Sequence, residues 1–435
     1  MNEDFLHYVW KFQKFTNTQL RTISGEPISV VAVGQHNLNS GPDFFNAKLT
    51  IGEQLWAGNV EIHIKASDWY AHQHQKDAAY DSVILHVVWE YDSEIFRKDE
   101  TTISTLEVKS CIASEVFEAY QKLFKVKHKW INCEDDFAQI DSFLLKHWLE
   151  RLYVERLEQK AVKIEQLLKA HHNHWEAVLF ELLCKNFGLK VNGASFLSIA
   201  QSVDFSVIQK CSHHQIDLES LLLGQAGLLE GGLEDVYYKA LQQNYEYIKH
   251  KFQVSNHTVI QPKYFRLRPP NFPTIRLSQL ATLYITHKKL FSTVVGIASE
   301  AVSEEIIKKL YALLTVAASS YWDTHYNFGV VSAKRSKKMT KKFVDLLLIN
   351  TLVPVLFCYG KRQGNSMIDL LLQVMMRTVP EENSVVIKFN QLQTVAHHAF
   401  ESQAVLQLKE NYCAKNRCTE CAIGNAILKG KVTLK

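Results

Sequence analysis

The spacing of apolar residues changes character once along this chain, and that change limits what the chain can fold into. Up to about residue 110 the runs ISVVAVG, FNAKLTI, QLWAGNVEIHIK and SVILHVVWEY alternate or are continuously β-branched and aromatic, as strands are. From about residue 138 apolar residues return every three or four positions. FLLKHWLERLYVERLEQKAVKIEQLLKA keeps this up for about seven turns, and a helix is what places such residues on one face. The reading is an α/β N-terminal domain over residues 1–110, a connection over 111–137, and a larger mainly α-helical domain over 138–435. Within the first part, HYVWKFQKF forms a helix ahead of the strands. Gly52 in IGEQL marks a hairpin turn, and ASDWYAHQHQKDAAY reads as one short helix capped by Ser67 or Asp68. Gly188 and Gly360 fall where helix C-caps are expected.

Composition narrows the function classes. The chain has 435 residues, 47% of them hydrophobic and 22% charged, so sizeable cores are expected and disorder is not. A net charge of +4 gives no global field that would draw a polyanion, so any such argument must be local. Acids in MNEDFLHYVW stand where a secretory leader carries basic residues. VDLLLINTLVPVLFCY is interrupted by Asp345, Asn350 and Pro354, which predicts a buried helix and no membrane partner. Eight cysteines are too sparse for the framework of a small secreted domain, and the expected location is a reducing cytoplasm.

The hairpin carries the chemistry. Side chains alternate along a strand, so Val60, Ile62 and Ile64 share one face while Glu61, His63 and Lys65 share the other, polar one. Antiparallel pairing through Gly52 brings Asp43 to the same end of the hairpin as Glu61. Two carboxylates held together repel, and a divalent cation such as Mg²⁺ is the usual reason to hold them. A neighbouring lysine or histidine can then orient a water or stabilise charge on a phosphate. The histidine count, 19, adds weight to a metal or acid/base site. His86, among apolar neighbours, reads as a core residue. His72 and His74, two apart on one helix, point about 200° apart and cannot both face one site. Three or more histidines would favour Zn²⁺ or Mn²⁺ over Mg²⁺.

PDF at 42–44 and VEIHIK at 60–65 resemble the PD-(D/E)xK nuclease superfamily, over about the first 100 residues. The resemblance implies a restriction-endonuclease-like mixed sheet with a hairpin. It also implies Mg²⁺ or Mn²⁺ held by Asp43 and Glu61, and hydrolysis of phosphodiester bonds in DNA or RNA. Glu3 would be the acid often found on that family's first helix. The chain departs from the pattern where the family's lysine should stand, because that place holds His63. Lys65 lies two residues further on the same face, roughly 7 Å away. Either His63 takes the lysine's part, or Lys65 does so with His63 in the acid's place.

NYCAKNRCTECAIG places Cys413, Cys418 and Cys421 within nine residues, a spacing that suits zinc or an iron–sulfur cluster. Cys133 is the first choice for a fourth ligand, then His397 or His398. Some nucleases of the superfamily just named carry a cluster on one early and three late cysteines, and this layout resembles theirs. In the helical part, Arg266, Arg268 and Arg276 surround a proline-rich turn in KYFRLRPPNFPTIRLSQLA, where a helix N-terminus can hold phosphate. KRSKKMTKK, with Lys334, Arg335, Lys337 and Lys338, is a second candidate contact for a phosphate backbone. Taken together, GPDF, VEIHIK, GQAGLL, RLRPPNFP, YWDTHYNFG and CAIGNAIL resemble a bacterial family of unknown function over the full chain. The functional expectation is a metal-dependent nuclease. Its alternatives are a non-catalytic module binding nucleic acid or protein, and a metal hydrolase for a small phosphorylated substrate.

Overall fold

The computed structural model describes residues 2–16, 19–37, 39–124, 129–300, 304–364 and 367–430. Two compact units emerge, Met1–Leu149 with Leu408–Lys435, and Glu150–Gln407. The last 28 residues, grouped with the helical part on sequence pattern, therefore belong with the N-terminal unit.

The first unit opens with α1 (Glu3–Lys11), which buries Phe5, Leu6, Tyr8, Val9 and Trp10. Strands β1 (Leu20–Arg21), β2 (Pro27–Ala32), β3 (Gln35–His36), β4 (Phe44–Ile51), β5 (Gln54–Lys65), β6 (Val83–Glu90) and β7 (Thr105–Glu107) form one mixed sheet. Its order is β1-β2-β4-β5-β6-β7, with β3 also paired to β4. β2, β4 and β5 are an antiparallel meander. Gly52, at φ +62°, makes the tight turn that joins Ile51 to its partner Gln54. β6 and β7 then run parallel to β5, so the chain must cross back between β5 and β6.

That crossover is not one helix. α2 (Asp68–Ala71) ends after a single turn, and two short 3₁₀ turns follow at His74–Lys76 and Ala78–Tyr80. Gln73 sits between α2 and the first of these turns in the left-handed region, at φ 61°, and breaks the helical repeat. Ser67 gives its hydroxyl to Asp92 and does not cap the helix, and Asp68 accepts from the Lys65 amide. Ala66, Trp69, Tyr80, Val83, Val88, Ile95 and Ile103 form a core beneath the crossover. β6 is buried from Val83 to Val88, as suits an interior strand of a sheet covered on both faces. The unit is completed by α3 (Ser114–Phe124) and the C-terminal segment, with Ala422–Leu428 packed on α3.

The second unit is mainly helical. α4 (Ser142–Ala170) leads into it, followed by α5 (Trp175–Phe187), α6 (Leu189–Gln201), α7 (Phe205–Cys211), α8 (Gln215–Gln225), α9 (Val236–Phe252) and α10 (Pro273–Thr286). Lys341–Gln363 is long and apolar enough to cross a membrane by length and composition, and 78% of its most apolar window is buried. Its middle, Leu348–Leu352, is a π-helical segment. Pro354 lacks the amide that would bond the Asn350 carbonyl, and Asn186 Nδ2 donates to that carbonyl instead, at 3.4 Å. Gly360 lies inside the helix, which is capped by Gly364 at φ 65°.

Candidate metal centre

Strand register brings the two carboxylates together. Phe44 pairs with Val60 across β4 and β5, so Asp43 and Glu61, one step beyond, face each other. The Asp43 amide donates to Glu61 Oε2 at 3.1 Å, and the Ile62 amide donates to Asp43 Oδ2 at 3.0 Å. Each side chain is fixed by the other's strand. Among the described residues their ion-pair partners are all imidazoles. His7 Nε2 lies 3.2 Å from Asp43 Oδ2, and His63 Nε2 and His74 Nε2 lie 3.5 and 3.4 Å from Glu61 Oε1.

The polar face of β5 is not wet. Glu61 is 4% exposed and His63 2%, because α1 and the crossover both pack against β5. The left-handed Gln73 swings His74 back toward His72, and this corrects the expectation that only one of them could reach a site. His63 Nε2 stands 3.1 Å from His72 Nδ1. The ligand nitrogens of His63, His72 and His74 all lie within 4.8 Å of one another. His74 also stacks on Tyr80 at 3.8 Å. His86, fully buried, puts Nε2 2.8 Å from His63 Nδ1. The expected core position of His86 is right, yet it also adjoins the site. His7 was missed, for no spacing rule links α1 to the mouth of a hairpin.

Electrostatics follow from burial without a cationic counterpart. Burial and then the Asp43 charge raise the Glu61 pKa far above the carboxylate range. Burial, then neighbouring imidazoles, lowers His63 to about 2; burial likewise lowers His74 to about 4 and His86 to about 3. These imidazoles are neutral, which is the state that binds metals. Burial opposes charge on His7, but its bond to Asp43 and that carboxylate's charge prevail and raise its pKa. Glu3 is raised by burial and then by Asp43. On the outer side of Asp43 lies a polar recess of about 270 Å³, bounded by His7, Lys11, His36, Asn37 and Glu420 among others.

Other candidates fall elsewhere. Lys65 is exposed, and its charge bears on Asp92. Arg266, Arg268, Lys334, Arg335 and Lys338 are exposed. Arg276 and Lys337, expected to contact a phosphate backbone, are buried at 5% and 6% exposure. Arg276 donates to Gln279 Oε1 at 2.8 Å and Asn271 Oδ1 at 2.6 Å, and lies 3.4 Å over the Phe343 ring. Lys337 Nζ donates to the carbonyls of Asp323 and Arg335, both at 3.1 Å. Each cation is held where a buried charge must be satisfied internally.

Cys133, Cys413, Cys418 and Cys421 line one small cavity with Asn132 and Tyr412. All four are free thiols, and Asn132 Nδ2 donates to Cys418 Sγ at 3.4 Å. Gly424 lets the loop close, since a Cβ there would stand 2.1 Å from the Cys418 carbonyl oxygen. His398 faces Glu401 in the second unit, at 3.6 Å.

No curated protein and no solved structure matches the chain. Residues 3–384 match the model of a family described as "Protein of unknown function (DUF2851)", and the chain belongs to that family.

Proposed function

We propose that the Asp43–Glu61 site is a hydrolytic metal centre that cleaves phosphodiester bonds of DNA or RNA. The observation that carries this reading is the pair of carboxylates locked together by reciprocal backbone bonds, with only imidazoles as ion-pair partners. An acid pair of one buried and one half-buried carboxylate in that setting is stabilised by a cation. The order helix, antiparallel meander, crossover and parallel strand agrees with the nuclease superfamily that PDF and VEIHIK resemble.

Asp43 and Glu61 would hold Mg²⁺ or Mn²⁺, the ions that resemblance implies. A bound divalent cation supplies a polarised phosphoryl oxygen and a water acidic enough to attack at neutral pH. His63, neutral and buried, takes the place of the family's lysine by facing Glu61, whereas Lys65 is exposed and its charge bears on Asp92. His7, at the recess side of Asp43, is suited to hold a proton for the leaving oxygen. The exposed Arg266, Arg268, Lys334, Arg335 and Lys338 would bind the phosphate backbone.

The cysteines would hold a structural metal group. Zinc or an iron–sulfur cluster would suit the four thiols that line one small cavity.

The test is cleavage of labelled single- and double-stranded DNA and RNA with Mg²⁺ or Mn²⁺, comparing wild type with Glu61→Ala. Metal-dependent cleavage lost in the variant supports the reading. A second reading, hydrolysis of a small phosphorylated substrate, draws on the confined recess beside Asp43. It gains if no polymer is cut while a small phosphodiester is.

A further inference from the structure

We infer that the cation this site selects is a borderline-soft transition-metal dication of the Zn²⁺ or Fe²⁺ class, held by His63, His72, His74 and Glu61. This deepens the hydrolytic reading by putting this ion in place of the Mg²⁺ or Mn²⁺ that the resemblance implies, with His63 as a ligand, and it rests on the assignment of Glu61 as a ligand. Three separations in the group match the edges of a coordination shell. Donors bound at about 2.1 Å to one ion, at tetrahedral or right angles, stand roughly 3.0–3.4 Å apart. His63 Nε2 to His72 Nδ1 is 3.1 Å, His74 Nε2 to Glu61 Oε1 is 3.4 Å and His63 Nε2 to Glu61 Oε1 is 3.5 Å.

Orientation points the same way. His63 turns Nδ1 to His86 and Nε2 to the shared point, as an imidazole ligand does when a partner behind it fixes its tautomer. His74 Nε2 is buried with no hydrogen-bond partner and lies 3.4 Å from Glu61 Oε1, so it faces into the group. Mg²⁺ prefers oxygen ligands and keeps its waters. Three nitrogens and one carboxylate instead match Zn²⁺, Fe²⁺ or Co²⁺. His72 is the exposed member, which gives the ion a path to solvent.

The experiment uses full-length protein freed of metal by a chelator, then titrated with Co²⁺, Zn²⁺ and Mg²⁺. The expected result is one Co²⁺ bound with a visible ligand-field spectrum and only nitrogen and oxygen in its first shell by X-ray absorption. Thiolate charge-transfer bands identify any Co²⁺ at the cysteines, so that site is read separately. Zn²⁺ displaces the ion, and a thousandfold excess of Mg²⁺ does not. His72→Ala weakens Co²⁺ binding at least a hundredfold with an unchanged melting temperature for the metal-free protein, since His72 is exposed, and His74→Ala weakens binding by a similar factor. Wild-type affinity in His72→Ala, or displacement by Mg²⁺ at comparable concentration, overturns the inference. Phosphodiester cleavage is assayed on the same samples. Tight Co²⁺ binding without cleavage sustains the site and sinks the nuclease reading, and Mg²⁺-driven cleavage indifferent to both histidine variants does the reverse.

Discussion

His63 Nδ1 lies 2.8 Å from His86 Nε2, so the imidazole that faces Glu61 is held from behind by one that never meets solvent. Such outer partners set the tautomer and aim of a ligand, and losing them typically costs 10–100-fold in metal affinity or activity. His86→Leu should therefore lower affinity for Zn²⁺ or Co²⁺ by about that factor while the chain still folds. Calorimetric titration checks it; affinity equal to wild type would mean His86 only fills space.

Stability of the metal-free protein should depend on pH in a defined direction. In the unfolded chain His63, His74 and His86 take up protons below about pH 6.5. Folded, they stay neutral to about 2, 4 and 3. The unfolded state thus binds more protons between pH 4 and 6.5, and stability rises with pH across that window. Each imidazole contributes at most about 1.4 kcal/mol per pH unit. Glu61, with its pKa raised, acts oppositely, because folded protein keeps a proton that the unfolded chain loses. Three imidazoles outweigh Glu61 and Glu3 below pH 6.5, and above it Glu61 and His7, both with raised pKa values, make stability decline. Thermal melts from pH 5 to 9 in chelator should show a maximum near neutrality, and a fall from pH 5 to 6.5 would contradict these shifts.

How much of this was legible in the sequence depends on which repeat each residue obeys. Asp43 and Glu61 follow the period of two, and a turn at Gly52 is enough to bring them to one end of a hairpin. Cys133 beside the late cysteines was legible because a three-thiol motif leaves a fourth ligand to come from elsewhere in the chain. The burial of Glu61 and His63 was not legible, since alternation says which side a residue faces and not what covers that side. His72 and His74 were misjudged because one left-handed residue, Gln73, replaces a helical phase by a reversal. Arg276 and Lys337 were misjudged for a related reason: a basic residue in a proline-rich or lysine-rich stretch gives no sign of a buried ring such as Phe343 or Tyr326 waiting for it.

The cysteine site should be vulnerable at a residue that carries no sulfur. A methyl group at Gly424 meets the Cys418 carbonyl oxygen at 2.1 Å, so Gly424→Ala must push the loop bearing Cys418 away from Cys133. Anaerobically purified Gly424→Ala should hold much less zinc or iron than wild type at this site, with all four thiols intact by mass. Metal content equal to wild type would show that the loop has another way to close.

The arginines of the proline-rich turn should divide by burial. Arg276→Met removes a buried cation bonded to Gln279 and Asn271 and should destabilise the chain by about 2–4 kcal/mol in urea melts. Salt dependence of nucleic-acid binding should not change in that variant. Arg268→Ala should do the opposite, leaving the melt within about 0.5 kcal/mol and lowering the salt slope by roughly 0.9 if it meets one phosphate. A reversed pattern would place Arg276 at the surface.

The account's central claim is that Asp43 and Glu61 form a centre that performs chemistry and not merely contact. Single-turnover cleavage of labelled nucleic acid by wild type and Asp43→Asn, at equal bound substrate, tests it most directly. The account predicts unchanged binding and a rate lower by at least a hundredfold. Equal rates in the two proteins, or no cleavage of any polymer by metal-loaded wild type, would contradict it.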